Sequence, residues 1–221
     1  PYTTLFRSVI IVGCGPHPYE DVPSAELPEP DPAVEPPEGE VKEGHDREHL
    51  PQEQMHDRDA VSGPGWTLEA VETPGHISNH LCFAVKEDKA LLSGDHVMGW
   101  STAVISPPDG NMADYFASLR KLLPRDESLY IPTHGAEIRD PNSFVQAYIE
   151  HRLGREAQII ARLKDGPQTI PQMVAKNYAD TPVHLHPAAG RSMLAHLVQM
   201  VKDGRVKTED GRAAIDSVYR L

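Results

Sequence analysis

Cysteine is nearly absent. Cys14 and Cys82 are the only two in 221 residues, too few for a disulfide framework, and they read as reduced thiols of a cytoplasmic protein. No apolar run approaches the roughly 18 residues that a bilayer span needs, and no charged-then-apolar leader opens the chain. A membrane is therefore not an expected partner. The chain begins with Pro1 rather than Met, and residues 1–8 resemble a read-through scar, so they are set aside from fold reasoning. On that reading the authentic chain starts near Val9, inside a domain. No internal repeat is present, which excludes solenoid architectures. Basic charge is scarce where it would matter for a polyanion: residues 1–150 carry 10 Lys+Arg against 26 Asp+Glu, whereas residues 151–221 carry 11 against 7. Only the second stretch suits a phosphate backbone, and the asymmetry suggests two units.

The β-branched run from Val9 to Val12, closed by Gly13, reads as a buried strand. Residues 16–65 show no period. Eight prolines lie between Pro16 and Pro37 among many carboxylates, a composition that cannot bury enough apolar surface to order itself. This acidic, proline-rich loop is either the rim of a site or a solvated insertion. Order is expected to return at Trp66. Residues 67–71 form a strand, Leu81, Phe83 and Val85 alternate along a second, and residues 90–92 complete a hairpin. Met112, Tyr115, Phe116, Leu119 and Leu122 recur at helical spacing until Pro124 stops them. A strand over 128–131 follows, then a long helix from Asn142, as cap, to about Lys164. Thr169 caps a short helix through Tyr178. Another runs from about Leu185 to Asp203, with Leu194, Leu197, Val198 and Val201 as its core face, and a β-ribbon over 205–219 ends the chain. Helix, helix, helix and ribbon make the outline of a winged helix. The expected domains are residues 9–150 and 151–221.

Chemistry concentrates in three short pieces: Thr73-Pro74-Gly75-His76, Ser93-Gly94-Asp95 and Pro132-Thr133-His134-Gly135. Each sets one metal-ligand side chain after a strand and a turn, the rigid mounting that a hydrolytic metal site requires. Taken singly, a histidine after a Pro-Gly turn is an ordinary loop residue, and an aspartate after a strand is an ordinary cap. The ordered trio His76, Asp95, His134 suggests a two-metal site, with Asp95 shared between ions and each imidazole serving one. Zinc lowers the pKa of bound water from 15.7 to about 7, supplying a metal-bound hydroxide as nucleophile.

These motifs (TPGHISNH over 73–80, LLSGD over 91–95, PTHG over 132–135), with steps of 19 and 39 residues between the ligands, resemble the third to fifth motifs of the metallo-β-lactamase superfamily. From Trp66 to Leu221 the chain looks like the beta-lactamase-like protein 2 branch, which contains endoribonucleases and carries a winged-helix extension. The resemblance implies an α/β fold, a partial αββα sandwich followed by a small winged-helix domain, and two zinc ions. His76 matches a ligand of the first ion, His134 a ligand of the second, and Asp95 the bridging carboxylate. His80, His96 and Thr133 are expected beside the ligands or against substrate, with Trp100-Ser101-Thr102 on the pocket floor. Thr133 stands where the superfamily more often has Gly.

The superfamily's H-x-H-x-D-H run has no counterpart in the sequence. His45 and His49, at i and i+4, lie in the wrong order and inside a charge run, so they do not replace it. With one imidazole and a shared carboxylate per ion, weak metal binding and little activity are expected of this polypeptide, read as the C-terminal portion of a longer enzyme. The substrate is a single-stranded RNA phosphodiester or a small ester or thioester. The winged helix offers too thin a basic surface for duplex DNA and suits a lid or a homodimer contact better. The rival class is a non-catalytic nucleic-acid or protein-binding module on a decayed hydrolase scaffold. A third reading is a regulator acting through the winged helix, with DNA binding independent of the three ligands.

Overall fold

The computed structural model describes residues 12–13 and 53–221, in two compact units. Residues 1–11 and 14–52, with Cys14, most of the acidic loop and the His45–His49 pair, lie outside the described residues. The first unit contributes two short strands, β1 (Val12–Gly13) and β2 (Glu53–Gln54), paired in parallel.

The second unit begins at His56. Its main sheet has five strands in sequence order: β3 (Ala60–Gly63), β4 (Trp66–Glu72), β5 (Leu81–Val85), β6 (Ala90–Gly94) and β7 (Leu129–Pro132). All neighbours are antiparallel except β6 and β7, whose parallel pairing needs a crossover. Helix α1 (Met112–Leu122) supplies it. Asn111 caps α1 by accepting from the amides of Ala113 and Asp114. All five residues of its expected stripe are buried. Strand β3 corrects the expectation of disorder up to Gly65. Its own sequence is weak, but a turn at Pro64-Gly65 folds it onto β4, which supplies the missing half of each ladder bond.

Strand β5 reverses the expected inside and outside. Cys82 and Ala84 are the fully buried residues, while Leu81, Phe83 and Val85 are half-buried on the opposite face. The helix-covered face joins Val71, Cys82, Ala84, Leu91 and Tyr130 to α1 and to the first half of α2 (Pro141–Leu163). The other face leaves Leu92 and Ile131 exposed. Alternation locates a strand without saying which face the helices cover.

Helix α2 starts earlier than expected. Asp140 is the cap, accepting from the Ser143 amide, and Pro141 takes the first helical position, where its missing N–H is not needed. At 23 residues, α2 runs through the expected 150/151 boundary. Its second half builds another core with α3 (Ile170–Asn177) and α4 (His186–Lys202). In that core α4 presents Met193, Leu197 and Met200, spaced i, i+4, i+7, whereas Val198 is exposed. Of the expected stripe Leu194, Leu197, Val198 and Val201, Leu197 is fully buried and Leu194 and Val201 pack against the same core, so only Val198 falls outside it. Strand β8 (Gln168–Thr169) pairs with β9 (Val218–Tyr219), and a bridge from Lys207 to Arg220 completes the wing. Arg205 and His196 converge on Glu156, binding wing and α4 to α2. Among the described residues, no helix is long and apolar enough to cross a membrane.

Candidate metal centre

The three candidate ligands predicted from sequence come together at one end of the sheet. His76 sits in the β4–β5 loop, Asp95 follows β6, and His134 follows β7. The Asp95 carboxylate lies between the imidazoles: Oδ2 is 3.6 Å from His76 Nε2, and Oδ1 is 3.5 Å from His134 Nε2. Gly94 turns the chain into Asp95 at φ +56°, and a Cβ there would meet His80 Nε2 at 2.7 Å. Glycine is thus required on both counts.

Backbone bonds fix the two loops to each other. The Thr133 amide donates to the Gly94 carbonyl, and the Gly99 amide donates to the His134 carbonyl at 2.8 Å. Gly99 and Gly135 bridge in parallel, and a Cβ on Gly99 would sit 2.1 Å from the Ala136 carbonyl oxygen. No other residue permits that approach. Thr133 donates its hydroxyl to Asp95 Oδ1, which gives this departure from the usual Gly a role in orienting the carboxylate.

His76 Nδ1 donates to the Val104 carbonyl at 2.6 Å. That bond fixes the tautomer and leaves the Nε2 lone pair facing Asp95, the arrangement a ligating imidazole requires. One carboxylate with an imidazole Nε2 near each oxygen matches the donor chemistry of one side of a two-cation site. Among the described residues, no group of three or more His, Cys, Asp or Glu side chains is placed to hold an ion by itself. The trio fits as a partial ligand set.

Among the described residues, neither His80 nor His96 hydrogen-bonds to Asp95. They form a ring stack that leads inward from His76: ring centroids are 6.3 Å apart from His76 to His80, 5.9 Å from His80 to His96 and 4.9 Å from His96 to Tyr115. His80 Nδ1 meets the Thr73 hydroxyl at 2.8 Å. Burial, and secondarily His76, push its pKa down to about 4. His96 is wholly buried with neither ring nitrogen partnered, and burial holds it well below the usual histidine range. Both rings are neutral near pH 7.

Trp100, expected on the pocket floor with packing under its loop as the alternative, is 75% exposed. The Ser101 carbonyl accepts from Tyr148, and Arg152 donates to the Ala103 carbonyl. Helix α2 thereby holds the loop whose Val104 carbonyl orients His76. Sequence reasoning missed this support. Its signal was available, since Val145, Tyr148, Ile149 and Arg152 lie on one helical stripe, and an arginine on such a stripe needs acceptors.

The fold is that of an α/β protein with a C-terminal winged helix, and the three candidate residues meet at one end of its sheet. The metallo-β-lactamase superfamily profile matches residues 14–134, and the beta-lactamase associated winged helix domain matches residues 169–214. The chain belongs to the metallo-β-lactamase superfamily. It is 34% identical over 148 residues to a beta-lactamase-like protein 2 homolog from Caenorhabditis elegans, covering 66% of this chain and 49% of the relative. It is 33% identical over 114 residues to an atrochrysone carboxyl ACP thioesterase from Aspergillus fumigatus, covering 52% and 35%. The fold is similar to that of a metallo-beta-lactamase family protein from Thermus thermophilus, with a TM-score of 0.65 and 24% identity over 78% of this chain and 56% of that one. The chain spans about half the length of the curated relatives it matches.

Proposed function

We propose that the chain carries part of the active site of a metal-dependent hydrolase acting on a small ester or thioester. The observation that carries this reading is the Asp95 carboxylate set between two imidazole Nε2 atoms at 3.6 and 3.5 Å, on three separate loops. His76 and His134 would each hold one zinc ion, with Asp95 between them. When bound, zinc supplies Lewis acidity, acidifying water and polarising a carbonyl. The chain's own residues do the rest. Val104 fixes the His76 tautomer, Thr133 orients Asp95, and the neutral stack of His80 and His96 presents a face without charge behind the ligands.

A small ester or thioester is favoured over RNA by the formal net charge of -12, which opposes a polyanion, and by the thioesterase among the relatives. A single RNA strand is the second reading, supported by the matched winged helix and the positive balance of residues 151–221. We infer a cytoplasmic setting from the scarcity of cysteine. The winged helix is best read as a lid, because α4 borders the loop that orients His76.

Titration of the 221-residue chain with zinc chloride tests the assignment. Weak binding is expected, because donors of the H-x-H-x-D-H type are missing from the sequence, and Asp95→Ala should abolish it with the circular dichroism spectrum unchanged. Zinc binding equal in wild type and Asp95→Ala would remove the bridging role and favour a non-catalytic binding module.

A further inference from the structure

A cleft of about 350 Å³ lies between the 102–106 loop, α2 and the first turns of α4. Its lining includes Val104, His151, Arg152, Arg155, Arg191 and Ser192, and none of its lining residues is a carboxylate. Arg191 is exposed, and Arg155 donates one guanidinium nitrogen to the neutral Gln158 Oε1 at 3.0 Å. Arg155 lies with its guanidinium 4.7 Å from the centre of the Tyr178 ring, an arrangement that holds its position while leaving its charge available.

Arg152 is the unusual member. It is 2% exposed, and its Nε has no hydrogen-bond partner. Its guanidinium contacts are neutral: the Ala103 carbonyl, the Tyr115 ring 5.3 Å away and a hydrogen bond to the Tyr115 side chain. A buried cation without a counter-charge is costly, and a carbonyl with a ring face compensates only part of that cost. An anion in the cleft would supply the rest.

We propose that this cleft is an anion subsite that takes the phosphate group of a small substrate, gripped by Arg155 and Arg191 above the fixed charge of Arg152. The inference rests on the hydrolase reading for its biological sense: Val104 both lines the cleft and orients His76, so a phosphate here anchors a substrate whose scissile bond reaches the Asp95 centre. Burial is the main cause that lowers the pKa of His151, and the charges of Arg152 and Arg155 add to it in the direction a positive cleft requires. A cleft of this volume has room for a phosphate group together with part of the small molecule that carries it. A nucleic-acid strand needs an extended basic track, which a chain of formal net charge -12 opposes.

The test is calorimetric titration of the EDTA-treated 221-residue chain with inorganic pyrophosphate, so that no metal contributes. Saturable one-to-one binding is expected, weakened about tenfold by Arg191→Gln and by Arg155→Gln, as for loss of one charge-assisted hydrogen bond. Arg155→Gln also loses its stacking on Tyr178, so the exposed Arg191→Gln keeps the test sound if the former misfolds. No saturable binding, or binding unchanged in both variants, overturns the proposal. So does a single-stranded oligoribonucleotide held through these arginines when pyrophosphate is not. Pyrophosphate binding in a chain that fails to bind zinc would uphold the cleft while removing the hydrolase reading, so the two stand or fall separately.

Discussion

At the scale of the residue, the buried histidines behind the candidate ligands tie stability to pH. His80 is buried against Thr73, and its pKa falls to about 4 because the folded environment cannot solvate its charge. The unfolded chain therefore binds a proton between about pH 6.5 and pH 4 that the folded chain refuses. The stability contribution is complete above the unfolded value and is lost as pH falls toward the folded one. His96 and His196 shift in the same direction. In EDTA, urea midpoints should drop on moving from about pH 7.5 to pH 5, with His80 alone accounting for about 2 kcal/mol. A flat profile over that range would show that His80 titrates normally. The three candidate ligands were legible as a set because each follows a strand and a turn within a short motif, and the structure brings them together. The stack was not, since nothing in the spacing of His80 and His96 says that Tyr115 closes it from another element.

At the scale of the element, periodicity located strands and helices but not the sides they bury. On β6, Leu91 is wholly buried under the helices, and its neighbour Leu92 is 37% exposed. Leu91→Ala should cost about 2–5 kcal/mol, while Leu92→Ala should stay within about 0.5 kcal/mol of wild type. Chemical denaturation of the two variants measures the difference, and equal losses would mean that the outer face is also covered. The reversal on β5 has the same origin, because two apolar faces alternate and local sequence ranks them equally. In α4 the expected stripe was right except at Val198, and it lacked Met193 and Met200, which share the core with Leu197 because the approach of α2 and α3 sets which side of the stripe is deepest. The β3 strand was missed for a different reason: its stability resides in its partner, β4.

At the scale of the whole second unit, α2 is the shared member. Val145, Tyr148 and Ile149 belong to the sheet-side core, and Ile159 and Leu163 to the winged-helix core. Gly154 falls between the two groups, and a Cβ placed there has nothing within 4 Å. Gly154→Ala should therefore stabilise the protein by about 0.5–1 kcal/mol through helix propensity alone, read as a higher thermal midpoint. A loss of stability would show that the helix departs from regularity at this point. The charge asymmetry of the sequence hinted at two parts. It could not reveal that one continuous helix serves both, because charge reports on surfaces and the join is made by interior residues.

That continuity makes α2 behave as an axle. Successive residues of a helix are set about 100° apart, so one residue inserted near Gly154 would swing Arg155 and everything beyond it by more than a quarter revolution about the rod. The arginine cleft would be dismantled, although no residue in it had changed. Growth or shrinkage of this rod is thus confined to near-whole turns, and the connecting loops are left to absorb every other change in length.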